Sequence, residues 1–97
     1  MHLYVHAIDP LASLYKVGIT ESPEARAKVL GKRYGGSMIW VSDPMSSRAA
    51  RDAEYHVKAW LPTAELDRYV LGRSEIVQAE LTDIVDLLAF LGVSKSA

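Results

Sequence analysis

The 97-residue chain contains no cysteine, so a disulfide framework and a thiolate zinc site are both excluded, and a cytoplasmic setting becomes the default expectation. No segment approaches the ~18 to 20 consecutive apolar residues that a membrane-spanning helix requires. The N-terminus also lacks a basic stretch followed by a long apolar run, so neither secretion nor a membrane partner is expected. Neither sign of charge is in large excess: 11 Lys and Arg stand against 12 Asp and Glu, for a net of -1, which argues against strong nonspecific nucleic-acid binding. The distribution is uneven, however, with eight cations against six acids through Trp60 and three against six beyond it. With 49% apolar residues the chain is expected to fold as one globular domain over residues 1–97.

What is present is a punctuated order of short elements. "HLYVHAI" and "LYKVGIT" alternate around the turn-like "DPLAS", which predicts an antiparallel hairpin. Leu3, Val5 and Ala7 share one face with Tyr15, Val17 and Ile19, the core side. His2, Tyr4, His6, Lys16, Gly18 and Thr20 take the other side, a polar face with a gap at the glycine. "SPEARAKVLGKRYGG" predicts a helix with Ser22 as cap, Pro23 at its first position and Gly31 as its end. "SMIWVSD" predicts a third strand, and a helix follows over Ser46 to Leu61, ended by Pro62 and carrying an apolar stripe of Ala50, Ala53, Val57, Trp60 and Leu61.

Beyond Pro62, "TAELDRYVLG" is compatible with a short helix and "SEIVQAE" with a short strand or an extended edge segment. "TDIVDLLAFLG" is a helix capped at Thr82 and stopped at Gly92, with Ile84, Leu87, Leu88 and Leu91 buried. It is taken as core, with a homo-oligomer contact as the other reading. The resulting order, β-β-α-β-α plus a closing helix, predicts an α/β (α+β) fold with a small antiparallel three-stranded sheet flanked by helices.

The succession of "HLYV", "YKVGIT", Arg26 on the following helix, Glu54 on the next long helix and the later "GRSEIV" resembles the GIY-YIG nuclease domain superfamily. The likeness is to its compact phage-associated branch, whose second motif often reads KIG, and it spans about Leu3 to Leu88. It implies a β-β-α-β-α core, DNA as partner, and metal-dependent hydrolysis of phosphodiester bonds with Mg²⁺ (or Mn²⁺) as cofactor. Residue by residue, it implies that Tyr4 takes a proton from the attacking water or orients it, that Arg26 neutralises the phosphate, that Glu54 holds the metal, and that Gly18 lets the phosphate backbone approach. The family's second tyrosine falls at Lys16; Tyr15 lies on the opposite face of the strand. His2 replaces the glycine of the first motif, and the asparagine found late in many members has no counterpart, since the chain contains none.

Elementary chemistry agrees with those roles. A hard cation on a carboxylate and a forked guanidinium on the nonbridging oxygens supply most of what phosphoryl transfer asks of a protein. Mg²⁺ needs only one or two protein carboxylates. A phenol titrating at about 10 is a poor base at neutral pH, so Lys16, on the same face as Tyr4, is expected to favour its phenolate. His6 flanks Tyr4 and is a candidate substrate contact. Arg51 and Lys58 would extend a DNA track beside Glu54, joined by Arg48, and by Lys28, Lys32 and Arg33 on the first helix. Asp52 is the rival metal ligand. The same spacing also predicts a Glu54–Lys58 surface ion pair, and zinc on His2, His6 and His56 lacks any supporting ligand spacing. The alternative from another class is a catalytically inactive module on this scaffold, binding DNA or a protein partner.

Overall fold

The computed structural model describes residues 1–64 and 76–97. Strand β1 (His2–Asp9) turns through a 3-10 segment at Pro10–Ala12 into β2 (Leu14–Thr20). Asp9 accepts a hydrogen bond from Ala12 N–H, and Ser13 takes the left-handed conformation at φ 56°. Helix α1 (Pro23–Tyr34), strand β3 (Ser37–Val41), helix α2 (Ser47–Trp60), the short strands β4 (Thr63–Ala64) and β5 (Ile76–Gln78), and helix α3 (Leu81–Phe90) follow. The strands form one antiparallel sheet in the order β3-β1-β2-β5-β4.

The class is therefore α+β as expected, but among the described residues the sheet has five strands where three were expected. The two extra strands are two and three residues long; β5 falls in "SEIVQAE", where a short strand was expected, while β4 is too brief to display an alternating pattern. The expected helix over "TAELDRYVLG" opens as strand at Thr63 and Ala64; its remainder, with Gly72, Arg73, Ser74 and Glu75 of "GRSEIV" and "SEIVQAE", lies outside the described residues.

The hairpin register pairs Leu3 with Ile19, Val5 with Val17 and Ala7 with Tyr15 on one face, and Tyr4 with Gly18 and His6 with Lys16 on the other. The first face is the main core. Leu3, Val5, Ala7, Tyr15 and Val17 pack there with Ala53 and Val57 of α2 and Ile84 and Leu88 of α3. At about 25 cal/mol per Å² of apolar area removed from water, this burial is the principal stabilising term. The second face, expected to be open and polar, is instead covered by α1: Tyr4 packs with Leu30, Tyr34 and Ile76.

Helix α1 runs through Gly31 to Tyr34 and ends at the Gly35–Gly36 pair, both with positive φ. Gly31 is interior because Leu30 and Tyr34 on either side of it are buried, which outweighs the ~1 kcal/mol that a mid-helix glycine costs. Gly36 has its own constraint: a Cβ there would run into the Ala7 carbonyl. Ser22 lacks a side-chain cap bond; its N–H donates to Thr20 Oγ1 at 3.1 Å. Ser46 does cap α2, accepting from Ala49 N–H at 3.1 Å. Helix α3 begins at Leu81, so Thr82 lies inside it and Glu80 is the cap position. Trp60, assigned to the apolar stripe of α2, is 55% exposed. No helix among the described residues is long and apolar enough to cross a membrane.

Candidate active site

Five of the residues singled out on β1, β2, α1 and α2 meet in one cavity of about 230 Å³. It is lined by Tyr4, Lys16, Gly18, Arg26 and Glu54, with Leu30, Arg33 and Tyr34 completing the wall from α1. Three local causes bring them together. Period-two alternation sends Tyr4 and Lys16 to the same face of the hairpin as Gly18. Helical spacing puts Arg26, Leu30, Arg33 and Tyr34 at i, i+4, i+7 and i+8, a single stripe of α1 facing the sheet. Strand β5 pairs with β2 at Leu14 and Tyr15 among the described residues, and α2 lies against β2, from where Glu54 reaches the cavity.

Tyr4 is 2% exposed, and its phenol lies over Gly18: a Cβ built there would sit 2.7 Å from Tyr4 Cζ and closer still to the hydroxyl. The glycine was expected to make room for a phosphate; the room is taken by the tyrosine ring. Burial pushes the Tyr4 phenol above its ordinary value, with Arg26 opposing and Glu54 and Tyr34 adding to the rise. Lys16 is pushed down from 10.5 to about 8, chiefly by burial and then by Lys58, against the pull of Glu54, with Arg26 and Arg33 contributing further. The ammonium, not the phenol, is thus the group brought close to neutrality.

Glu54 is partly buried and pairs with Lys58 Nζ at 3.4 Å, the i,i+4 contact expected from the spacing. Such a pair is worth only ~0.2 to 0.5 kcal/mol. Arg51 and Lys58 line a broader hollow of about 710 Å³ on the α2 surface, shared with Asp52, Glu54, Tyr55 and Ala59. Asp52, the rival carboxylate, is exposed and belongs to this hollow rather than to the cavity holding the phenols.

His6 does not reach the cavity. It is completely buried, with Nε2 at 2.7 Å from the Gly35 carbonyl; since a carbonyl only accepts, Nε2–H donates, and Nδ1 is left as a buried acceptor without a protein partner among the described residues. The expected substrate contact finds no support here: the ring lies under the end of α1 and outside the cavity lining. His2 donates from Nδ1 to Ser42 O and His56 from Nδ1 to Asp52 O, so the three histidines serve three different carbonyls. No group of three or more His, Cys, Asp or Glu able to hold a metal occurs among the described residues.

For Tyr34 the sequence offers no signal beyond its i+8 spacing from Arg26, and Arg33 reads only as part of an outer DNA track. Both line the cavity. The assembled site holds three cationic side chains, Lys16, Arg26 and Arg33, around one carboxylate and two phenols, a lining that attracts an anion and can exchange protons with it. No family model, curated protein or solved structure matches the chain.

Proposed function

We propose that the protein is a small divalent-metal-dependent DNA endonuclease of the GIY-YIG type, working in the cytoplasm and hydrolysing phosphodiester bonds. The single observation that carries this reading is that Tyr4, Lys16, Arg26 and Glu54, widely separated in sequence, line the same cavity. An accidental motif match gives no reason for four such residues to converge.

The donor set suits a hard ion. Glu54 would hold Mg²⁺ or Mn²⁺ through a carboxylate oxygen, with water and phosphate oxygens completing the shell, since such ions bind through one or two carboxylates. When bound, the ion supplies positive charge against the charge that builds on the phosphoryl oxygens. The chain's own residues do the rest. Arg26 pairs its guanidinium with the nonbridging oxygens. Lys16, with a pKa of about 8, presents a fraction of neutral amine at physiological pH and takes a proton from the attacking water. Tyr4, whose phenol burial keeps protonated, donates a hydrogen bond that orients that water. Of the two roles that the resemblance implies for Tyr4, the tyrosine keeps the orienting one and the lysine takes the proton.

Plasmid nicking in Mg²⁺ or Mn²⁺ tests the reading. Glu54→Ala and Arg26→Ala are expected to abolish cleavage while keeping the wild-type melting temperature; undiminished cleavage by either variant would reject the assigned roles. A second reading, a binding module without catalysis, is favoured by the Lys58 ammonium already seated on Glu54. DNA affinity without cleavage in either metal would establish it.

A further inference from the structure

Hydrolysis of a phosphodiester leaves a sugar oxygen that departs poorly as an alkoxide, and a base for the attacking water does nothing for it. The cavity has two walls of different composition. The sheet wall carries Tyr4 and Lys16, diagonal neighbours on one face of the hairpin, since Tyr4 pairs with Gly18 and His6 with Lys16. The α1 wall carries Arg26, Arg33 and Tyr34. Guanidinium groups stay charged and give up no proton at accessible pH. With Lys16 engaged as acceptor and Tyr4 beside it, the α1 wall has one group able to release a proton, the Tyr34 hydroxyl.

Tyr34 is 8% exposed, is held among Tyr4, Leu30 and Ile76, and is close enough to Tyr4 for a charge on one to oppose a charge on the other. Side chains on a helix lean toward its N-terminus, which tilts this ring from the last turn of α1 toward Leu30 and Arg26.

We infer that Tyr34 is a catalytic residue of this site, the proton donor to the leaving sugar oxygen, supplied from α1 while Lys16 and Tyr4 act from the hairpin. The inference rests on the hydrolase reading. In the step, the water oxygen bonds to phosphorus while Lys16 Nζ takes one of its protons. The bond from phosphorus to the sugar oxygen breaks, and that oxygen receives the Tyr34 proton. The Lys16 ammonium then re-protonates the Tyr34 phenolate through solvent, closing the cycle without any other reactant.

The test compares Tyr34→Phe with the wild type on two substrates: an oligodeoxynucleotide, and thymidine 5′-(p-nitrophenyl phosphate), whose nitrophenolate departs without a proton. With an unchanged melting temperature, the variant is expected to lose about 10² to 10⁴ in kcat on the oligonucleotide, the usual worth of a positioned acid, and to match the wild type on the nitrophenyl ester. Equal loss on both substrates would overturn the donor role, and so would no loss on the oligonucleotide. A wild type inactive on both, or active without dependence on Glu54, would instead sink the hydrolase reading and this inference with it.

Discussion

Tyr4 and Gly18 face each other directly across β1 and β2, and the phenol fills the space in which any other residue at position 18 would place its Cβ. The glycine thus fixes where the tyrosine hydroxyl lies. Gly18→Ala should displace the ring and destabilise the fold by about 1 to 3 kcal/mol, as overpacking does. Cleavage should fall about a hundredfold from misplacement of the hydroxyl. Thermal melts and nicking rates measured together check this; an alanine variant with wild-type values in both would show that the strand tolerates a side chain there.

Lys16 should leave its mark on both rate and stability. If its amine takes the proton, log kcat rises with pH and levels above about 8; a flat profile from pH 6.5 to 9, with chemistry rate-limiting, contradicts that role. Its lowered pKa also means that burial of the charge works against folding below pH 8. Between about 8 and 10.5 the folded chain releases the proton before the unfolded chain does, so this contribution to stability improves as pH rises through that window. Lys16→Met should therefore melt above the wild type at pH 7, with the gap narrowing by pH 9.5.

Lys58 is the charge that depresses Lys16 most strongly, after burial itself. Lys58→Ala removes it, so the inflection in the rate profile should move to higher pH, with cleavage reduced at pH 7 and recovered at pH 9. Stability should change by no more than the ~0.2 to 0.5 kcal/mol of the lost pair with Glu54. An unmoved inflection would mean that the titrating group seen in the rate is not Lys16.

His6 should behave as a structural residue. Removing this fully buried ring in His6→Ala empties core volume, a change that costs about 2 to 4 kcal/mol at comparable sites. DNA affinity of the folded fraction should stay at the wild-type level. Fluorescence anisotropy with labelled DNA, below the lowered melting temperature, separates the two effects. Weaker binding with unchanged melting would return the ring to the substrate.

The hairpin and three helices are legible in the sequence because alternation and apolar stripes report faces directly. Tyr4, Lys16 and Gly18 share a face for that reason alone, and α1 presents Arg26 through simple periodicity. Strand β5 is legible as the short strand read in "SEIVQAE", whereas β4 is not, because a strand of two residues carries no period. The end of α1 was misplaced for a different reason: Gly31 has the form of a stop signal, yet the burial of Leu30 and Tyr34 carries the helix past it to Gly35. His6 looked solvent-facing because strand alternation says which side a residue occupies, not what covers that side; the cover comes from a helix that starts 17 positions later. Tyr34 escaped notice by the same limit. Its role depends on which face of α1 meets the sheet, and only the packing of Leu30 and Tyr34 on Tyr4 decides that.

The bond from the His6 ring to the Gly35 carbonyl rivets the C-terminal end of α1 onto β1, an interior strand of the sheet. Arginines and phenol on the helix therefore keep a constant span from the lysine and phenol on the hairpin, like the jaws of a fixed gauge. Under the proposed nuclease reading, discrimination among DNA sites would come from which backbone shapes slip between those jaws, and a buried imidazole would set the calibre.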